Sequence, residues 1–430
     1  MQKIGIFGLG VTGNSIFQEL KRHGNEVICW DDSADNRSKF DASLLEPISS
    51  DKWIDLDAIY ISPGVPRLHE IFALAVSCNI LILSDIQLFL DSVPSSKIVA
   101  ITGTNGKSTT VALIGHILKE LGRDYHIGGN IGKAVLDLPK DSEGYILELS
   151  SFQLDLLNNF EPDIAVLLNI TPDHIEHHGG FENYCNAKEK ILQNDGIKIV
   201  GIDNAESRKL YNKLKSAGDR KTISISSKNA KADIACLLAS IEDQFFNNQS
   251  YGLTNMPYLQ GDHNQENIAA AFAVCRSLGV SAEEIIKYLQ SFKGLAHRMQ
   301  YVGNSANMHF YNDSKATNAN ATYHSLAALK NIYWLAGGIF KEENLRPIDA
   351  ALPNIKKAYL FGESKMVFVE YLEGKVEYEI CETMEEALAA AKADALSDAS
   401  DAHILLAPAC ASFDQFKNFE ERGKRFVELV

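Results

Sequence analysis

The fold of this chain is decided by residues 100–109, which read AITGTNGKST. An apolar run ends at Thr102, glycines follow at positions 103 and 106, and a lysine and a hydroxyl residue come directly after the second glycine. Because glycines let the backbone curl and the start of a helix offers free N–H groups, this order predicts a strand, a phosphate-binding loop and a helix. The usual GxxxxGK[ST] spacing needs a glycine where Ile101 stands, so the loop is a variant of the P-loop.

The residues of this loop suit the binding of ATP. Their backbone N–H groups are expected to hold phosphate oxygens, the ammonium group of Lys107 to offset phosphate charge, and the hydroxyl of Ser108 or Thr109 to bind Mg²⁺. A glycine turn that binds no ligand is the alternative interpretation. The predicted ATP-binding residues of the loop are Gly103, Thr104, Asn105, Gly106, Lys107, Ser108 and Thr109.

A second glycine turn lies near the N-terminus, where residues 8–13 read GLGVTG between a predicted strand at 3–7 and a helix. Asp31 follows about 20 residues further on, at the end of the next predicted strand. This spacing is typical of a dinucleotide or nucleotide-diphosphate site. By itself the turn would suggest a nicotinamide dehydrogenase, and a tight turn without a ligand is a further alternative.

Short apolar runs alternate with longer amphipathic runs on both sides of the phosphate loop, a pattern typical of parallel sheets with crossover helices. We therefore predict an α/β fold with three domains. A Rossmann-like N-terminal domain is expected over residues 1–91, a central P-loop ATPase-type domain with a parallel sheet over 92–294, and a C-terminal Rossmann-like α/β domain over 295–430. The stretch SVPSS at 92–96 predicts the first linker, and residues 228–260 are expected to hold short antiparallel strands.

The composition limits the class of protein. The chain has 430 residues, 46% of them hydrophobic, and a net charge of −15 at pH 7. This acidic balance argues against a general nucleic-acid or membrane-surface binder. No apolar run reaches about 18 residues and no signal-peptide pattern is visible, so neither a transmembrane helix nor a secretory signal is expected. The seven cysteines form no CxxC pair, which indicates reduced thiols in a cytosolic protein.

Polar residues that suit Mg²⁺ follow two further predicted strands of the central domain. Glu148 lies at the end of the strand predicted at 145–149, and Asp173 and His174 come soon after the strand predicted at 164–168. Ligands of parallel α/β sheets bind at such strand ends. Carboxylate oxygens and an imidazole nitrogen are suitable metal ligands. The glycine-flanked Asn130 is expected to contact a substrate.

Two further features have simpler interpretations. Residues 174–178 read HIEHH, but they lack the HExxH order of zinc enzymes, and His177 and His178 are expected to be solvated loop residues. Lys188 lies in a predicted helix, and the residue pattern alone predicts an exposed lysine there.

Taken together, these motifs resemble the Mur ligases of peptidoglycan synthesis. The chain is similar to that family at GTNGKST (103–109), ELSSF (148–152), the Asn-x-Thr-x-Asp-His run (169–174), Ala187-Lys188, GDHNQEN (261–267), His297-Arg298, NDSKATN (312–318) and PACASFDQF (408–416). The segments occur in the family's order and cover essentially the whole chain. The GLGVTG turn with Asp31, the compact length and the segment 412–419 favour the members that add D-glutamate. Another Mur ligase or a folylpolyglutamate-synthase-like ligase is the nearer alternative.

The resemblance implies an activity and its substrates. It implies a cytoplasmic ATP-dependent ligase, expected to act as a monomer, that joins D-glutamate to UDP-N-acetylmuramoyl-L-alanine through an acyl phosphate. The N-terminal glycine turn would then bind the UDP end of the substrate and not NAD. No nucleic acid and no membrane insertion would be involved. Two Mg²⁺ ions, which Mn²⁺ can replace, and a CO₂-derived carbamate on Lys188 would complete the site.

The resemblance also implies roles for individual residues. The UDP substrate would contact Gly10, Val11, Thr12, Asp31, Gly64 and Asn130, with His174 near its muramoyl part. The nucleotide side would include Asn264, Asn267, Arg298, Asp313 and Lys315. The catalytic residues would be Lys107, Glu148, His174 and Lys188. One metal ion would be bound by Ser108 and Glu148, and the other by His174 and Lys188. The D-glutamate pocket would be formed by Thr317, Lys341, Ser412 and Phe419.

The sequence departs from the family at two positions. Ile339 and Phe340 stand before Lys341 where the family usually has a small or acidic residue, which leaves the local loop shape open. Ala407 replaces the serine that often precedes the Pro-Ala-Cys-Ala-Ser run, and little consequence is expected because Ser412 is kept.

Overall fold

A computed structural model describes residues 2–131, 133–237, 239–254, 256, 259, 262–341, 344–398 and 400–430, without the side chains of Asp262 and His263. Gly132 and Gly261, which belong to two of the predicted motifs, lie outside the described residues. The chain forms two compact units, Met1–Phe292 and Lys293–Val430. Across the part of the chain that the structure describes, every helix is too short or too polar to traverse a lipid bilayer.

The first unit begins with a small parallel sheet whose strands lie in the order β2-β1-β3-β4. Its strands are β1 (Lys3–Phe7), β2 (Glu26–Trp30), β3 (Ala58–Ile61) and β4 (Leu81–Leu83), and its helices are α1 (Val11–Arg22), α2 (Ala34–Arg37), α3 (Glu70–Ser77) and α4 (Asp85–Ser92). Gly24 has φ +71 and follows His23, the residue that caps the C-terminus of α1, which is a common way for a helix to end. Short 3₁₀ turns at Ala42–Leu44 and Asp51–Trp53 follow β2.

The first unit continues with a nine-stranded sheet in the order β13-β12-β11-β10-β9-β8-β5-β7-β6. Its strands are β5 (Lys97–Thr102), β6 (Tyr125–Gly129), β7 (Gly144–Glu148), β8 (Ile164–Leu167), β9 (Ile197–Gly201), β10 (Thr222–Ser226), β11 (Ile234–Leu237), β12 (Ser240–Asp243) and β13 (Gln249–Gly252). Its helices are α5 (Lys107–Glu120), α6 (Ser151–Asp155), α7 (Ile175–His178), α8 (Phe181–Glu189), α9 (Ala205–Ser216), α10 (Asp262–Ser277) and α11 (Ala282–Ser291). Among the described residues of this sheet, the antiparallel pairs are β11–β12 and β12–β13, which confirms the prediction of short antiparallel strands within 228–260.

The large sheet is covered on one face by α5 and α10. Val111, Ile114 and Phe272 from these helices are buried against strand residues such as Val99 and Ile146. Because strands β6, β7, β5 and β8 are neighbours and parallel, their carboxyl ends open onto one edge of the sheet. This edge therefore carries the phosphate loop and the polar residues that follow the adjacent strands.

The described part of the second unit contains a six-stranded sheet in the order β14-β15-β19-β16-β17-β18, in which the β14–β15 pair is antiparallel and the other pairs are parallel. Its strands are β14 (Gln300–Ser305), β15 (Met308–Asn312), β16 (Ile332–Gly337), β17 (Ile355–Phe361), β18 (Tyr378–Ile380) and β19 (Ala402–Leu406). Its helices are α12 (Ala319–Ala328), α13 (Lys365–Leu372), α14 (Met384–Leu396) and α15 (Phe419–Leu429). The α/β class with parallel sheets is therefore confirmed.

Candidate active site

The phosphate loop joins β5 to α5, as the sequence predicts. Gly106 caps the N-terminus of α5 with φ +85, and Lys107 is the first helical residue. A Cβ added at Gly106 would lie 2.3 Å from Oδ1 of Asn267. L-residues disfavour this left-handed backbone, and the contact leaves no room for a side chain. The glycine is therefore required by the turn and by the approach of α10.

The ammonium group of Lys107 folds back over the loop. Its Nζ donates to the carbonyl oxygens of Gly103 and Thr104, each at 2.9 Å. Ser108, the next residue of α5, is buried. The positive charge therefore lies at the N-terminus of a helix, where the helix dipole also favours an anion.

Residues that follow β8 hold the other side of the loop. Oδ1 of Asn169 accepts from the backbone N–H of Asn105 at 2.9 Å, and its backbone oxygen accepts from Thr104 N–H at 2.9 Å. The hydroxyl of Thr104 donates to the carbonyl of Thr171 at 3.1 Å and lies 2.8 Å from the hydroxyl of Tyr184. Neither Asn169 nor Tyr184 was singled out as a site residue from the sequence, because hydrogen-bonding partners so far along the chain leave no local pattern.

The two amides predicted for the nucleotide side lie beside the loop on the first turns of α10. The hydroxyl of Thr110 in α5 donates to Oδ1 of Asn267 at 3.2 Å. Nδ2 of Asn267 donates in turn to Oδ1 of Asn264 at 3.2 Å. The structure thus brings Asn264 and Asn267 together with the phosphate loop.

Glu148 is buried at the carboxyl end of β7, next to the end of β6. Its Oε1 accepts from Nδ2 of Asn130 at 3.1 Å, and its backbone oxygen accepts from Asn130 N–H at 2.8 Å. Its Oε2 is buried and has no hydrogen-bond partner among the described residues. A buried carboxylate oxygen without a partner is unfavourable, so this atom is a candidate ligand for a cation.

The oxygen atoms of Glu148 and Ser108 could bind a divalent cation only together with further ligands. Within the described ranges, no three His, Cys, Asp or Glu side chains are grouped so that they could hold a metal ion. The hydroxyl of Ser108 and the free oxygen of Glu148 are oxygen donors of the kind that Mg²⁺ prefers. Such an ion would therefore need further oxygen ligands from phosphate, water or a modified side chain.

Lys188 is almost fully buried, at 2% exposed, on the face of α8 that meets the loop. Its Nζ donates to the carbonyl of Gly103 at 2.9 Å and to the hydroxyl of Thr102 at 3.2 Å. Burial, and secondly the nearby charge of Lys107, lower the pKa of Lys188 to about 7. The prediction of an exposed lysine from the residue pattern is therefore wrong, because the fold turns this side chain toward the loop.

The three histidines after β8 have different surroundings. The His174 side chain is 52% exposed, and its Nε2 lies 3.5 Å from Oδ2 of Asp173. The ring of Phe152 lies 4.9 Å from the ring of His174 and 4.0 Å from that of His177. His178 is buried, and its Nε2 lies 2.9 Å from the hydroxyl of Ser151. The prediction that His178 is a solvated loop residue is wrong, because α6 covers its ring.

A cavity of about 630 Å³ lies in the first unit beside the N-terminal glycine turn. All six residues predicted for the UDP substrate line it: Gly10, Val11, Thr12, Asp31, Gly64 and Asn130. Ser150, Phe152 and Gln153 line the same cavity. Since Asn130 also binds Glu148, the cavity adjoins the strand ends that carry the phosphate loop.

Two carboxylates of this cavity differ in their partners. Asp31 accepts from Leu9 N–H at 2.5 Å and from Ser33 N–H at 2.8 Å, so it also fixes the glycine turn. Asp85 is buried, and its Oδ1 has no hydrogen-bond partner among the described residues. Burial raises the pKa of Asp85 to about 6. Asp85 was not predicted as a site residue, because an Asp after Ser84 has the pattern of an ordinary first residue of a helix.

Most of the predicted residues of the second unit lie on loops that follow its strands, whereas Arg298 precedes β14 and Phe419 begins α15. Asp313 is buried after β15, accepts from Met299 N–H at 3.2 Å, and has its pKa raised by burial. The ammonium group of Lys315 lies 5.6 Å from the ring centroid of Phe419, and that of Lys341 lies 5.2 Å from the ring centroid of Phe413. Ser412 is buried and Thr317 is half-buried. The positive charge of Arg298 opposes the rise that burial causes in the pKa of Asp313.

Arg422 of α15 holds these loops together. Its fully buried guanidinium donates to the hydroxyl and the carbonyl of Ser314 at 3.0 and 2.9 Å, to the carbonyl of Cys410 at 3.0 Å and to that of Gly337 at 3.5 Å. The loops after β15, β16 and β19 are thereby joined through one side chain. Arg422 was not predicted from the sequence, since a lone arginine in an amphipathic helix is usually exposed.

Comparison with known proteins assigns the family. Residues 101–275 match the Mur ligase middle domain, and residues 297–410 match the Mur ligase glutamate ligase domain. The chain is 46% identical to the UDP-N-acetylmuramoylalanine–D-glutamate ligase of Rickettsia bellii, an alignment that covers 100% of this chain and 97% of the relative. This chain belongs to the Mur ligase family. It is therefore an ATP-dependent amino-acid ligase, which rules out the nicotinamide dehydrogenase that the N-terminal turn alone would suggest.

More distant Mur ligases share the fold. The ligase of the same name from Rhizobium meliloti is 40% identical over 100% of this chain and 96% of its own length. Among solved structures, the Thermotoga maritima MurF ligase in complex with ADP superposes with a TM-score of 0.59 at 19% identity, covering 99% of this chain and 93% of that one. At that level of identity the likeness supports the arrangement of sheets and helices and nothing finer.

Proposed function

We propose that this Mur ligase joins D-glutamate to UDP-N-acetylmuramoyl-L-alanine, using ATP and an acyl-phosphate intermediate, in the synthesis of peptidoglycan precursors. The observation that carries the proposal is the convergence of the phosphate loop, the buried Glu148 and the buried Lys188 at one edge of the large sheet. The choice of substrates is supported by the full-length similarity to relatives named for that ligation. The enzyme acts as a monomer in the cytoplasm, without nucleic acid and without membrane insertion.

The chemistry explains why such groups are needed. A carboxylate is a poor acyl donor, so the γ-phosphoryl group of ATP is first transferred to a carboxylate oxygen of the UDP substrate, which releases ADP. The amine nitrogen of D-glutamate then attacks the carbonyl carbon, the bond to phosphate breaks, and the amine loses a proton. Because two anions must approach each other in the first step, positive charge at the loop lowers the barrier, and Lys107 supplies it.

Metal ions and a modified lysine complete the proposed site. Ser108 and Glu148 would hold one Mg²⁺ or Mn²⁺ ion, and His174 and a carbamate on Lys188 would hold a second. Bound ions would offset the charge of the phosphate oxygens. The carbamate is supported by the burial of Lys188 and by its pKa of about 7, since only the neutral amine reacts with CO₂.

We further propose three domains, over residues 1–91, 92–294 and 295–430, with separate tasks. The first, with the cavity beside the glycine turn, takes the UDP substrate, and the second takes ATP at the phosphate loop with the help of Asn264 and Asn267. In the third, Arg298, Asp313 and Lys315 serve the nucleotide, and Thr317, Lys341, Ser412 and Phe419 serve D-glutamate. An ammonium group at Lys341 and the hydroxyl of Ser412 are groups that can bind carboxylates.

One assay tests the choice of amino acid. With UDP-N-acetylmuramoyl-L-alanine, ATP and Mg²⁺ present, phosphate release is expected to require D-glutamate. L-Glutamate is expected to be at least about a hundredfold slower, because its carboxylates or its amine would miss their partners in a pocket built for the other enantiomer. Faster phosphate release with a different amino acid, or with a folate in place of the UDP substrate, would reassign the chain to another ligase of the superfamily.

A glycine substitution tests the phosphate loop itself. Gly106→Ala is expected to weaken ATP binding by about tenfold or more, since a Cβ there would strain the backbone and strike Asn267. Gly122→Ala is the matched control: Gly122 also has a positive φ, +70, but has open space around it. Titration with a fluorescent ATP analogue measures both. If Gly106→Ala bound the analogue as tightly as Gly122→Ala does, the loop around Gly106 would not be the ATP site.

A further inference from the structure

Glu266 makes a contact with the phosphate loop through one intermediate side chain. Its Oε2 accepts a hydrogen bond from Nδ2 of Asn169 at 2.9 Å. Oδ1 of the same Asn169 accepts from the backbone N–H of Asn105 in the loop at 2.9 Å. A single amide therefore connects the first turns of α10 to the loop. Asn267, the residue after Glu266, also lies close to the loop, since a Cβ added at Gly106 would be 2.3 Å from its Oδ1.

Glu266 and the Asn105 backbone favour the same orientation of the Asn169 amide, since Nδ2 of Asn169 donates to Glu266 at 2.9 Å and, more weakly, to the backbone oxygen of Asn105 at 3.4 Å. A carboxylate can only accept hydrogen bonds, so it must face the NH₂ end of the amide. The oxygen end then faces the backbone N–H of Asn105, from which it can accept a hydrogen bond. In the opposite orientation two acceptors would face each other at Glu266 and two donors at Asn105, and both contacts would be repulsive.

We propose that Glu266 is a positioning residue for the phosphate loop, because its carboxylate holds the Asn169 amide in the one orientation that accepts from the Asn105 backbone. The proposal rests on the ATP-binding role of the loop proposed above. It assigns to Glu266 no contact with substrate. Its consequence is that the affinity for ATP depends on the pairing of residues 169 and 266 and not on either residue alone.

The surroundings of Glu266 make its charge sensitive to pH near neutrality. Its Oε1 is buried without a hydrogen-bond partner among the described residues, and a Cβ added at Gly201 would lie 2.6 Å from it. Burial raises the pKa of Glu266 to about 7, with Asp203 raising it further and Asn169 and Lys228 opposing the rise. The carboxylate is therefore charged at pH 8.5 and largely neutral at pH 6.

Exchanging the two side-chain types tests the pairing. N169D puts two carboxylates against each other and is expected to weaken binding of a fluorescent ATP analogue by about tenfold or more at pH 8.5. E266Q added to N169D restores a donor opposite an acceptor, and the double variant is expected to recover at least about fivefold of that loss. The double variant N169D/E283Q has the same net charge, but Glu283 is exposed on α11, so its affinity should stay as low as that of N169D.

The pH dependence is the second readout. The loss of affinity in E266Q alone, expected to be about threefold at pH 8.5, should vanish at pH 6, where Glu266 is neutral as glutamine is. A double variant N169D/E266Q no better than N169D, or an E266Q effect that is constant with pH, would overturn the proposal. These outcomes are distinct from failure of the loop assignment, which would appear as unchanged ATP binding in Lys107→Ala.

Discussion

Lys107→Ala is expected to lower ligase turnover by about a thousandfold or more while the chain still folds. The Lys107 ammonium lies at the N-terminus of α5 and donates to the carbonyls of Gly103 and Thr104, so it is held where phosphate oxygens would lie. Without it, the repulsion between the γ-phosphate and the attacking carboxylate is no longer offset at the loop. The folded structure should survive, because the Lys107 side chain is only half-buried and alanine is a good helix former at the start of α5.

Three measurements check this expectation. Steady-state phosphate release gives the turnover, titration with a fluorescent ATP analogue gives the affinity, and circular dichroism reports folding. Lys119→Ala is the matched control, because Lys119 is an exposed lysine in the last turn of the same helix and should keep full activity. Turnover near that of the unchanged protein in Lys107→Ala would remove the phosphate loop from the mechanism.

Lys188→Ala is expected to lose activity by about a hundredfold or more and to regain part of it when small carboxylates such as acetate are added. The alanine variant removes both the amine and the carbamate that it forms, and leaves a space beside Gly103 that a small carboxylate can enter. Because burial lowers the pKa of Lys188 to about 7, the reactive neutral amine increases as the pH rises through that value. Activity of the unchanged protein should therefore depend on dissolved CO₂, and carbamylation should fall away below pH 7.

The control for this variant is Lys209→Ala, which alters an exposed lysine of α9 that forms an ion pair with Glu206. It should keep full activity and show no response to added acetate. Mass spectrometry of the intact protein under CO₂ would detect the added carboxylate on the unchanged chain and its absence in Lys188→Ala. Full activity of Lys188→Ala in the absence of any carboxylate would exclude the carbamate role.

Local patterns in the sequence were sufficient for most of the regular structure. The strand predicted at 3–7 is β1, and Ser281 and Glu284, three positions apart, form a capping box at the start of α11. The phosphate loop also occurs where the sequence predicts it, since its glycines, lysine and hydroxyl follow one another directly. These features depend on residues within a few positions of each other, so each segment contains the physical cause of its own conformation.

Burial of single polar side chains was not predictable in the same way. Lys188 and its partner Gly103 are 85 positions apart, and His178 and Ser151 are 27 positions apart. Nothing in the residues around Lys188 or His178 distinguishes them from exposed residues of a helix. The resemblance to Mur ligases did predict a role for Lys188. A family motif places a residue in a known fold, whereas a local sequence pattern does not.

By itself, the sequence determined that this chain folds into parallel α/β sheets with a phosphate loop after the strand that ends at Thr102, because alternation, glycine placement and capping act over short distances. Tertiary structure alone decided that one buried oxygen of Glu148 has no hydrogen-bond partner among the described residues. It also decided that Arg422 joins three loops and that Glu266 contacts the phosphate loop through Asn169. The physical reason is that the desolvation and hydrogen bonding of a side chain depend on which distant segments come together. Adjacent strands of a parallel sheet bring their carboxyl ends to one edge, however far apart these strands are in the chain.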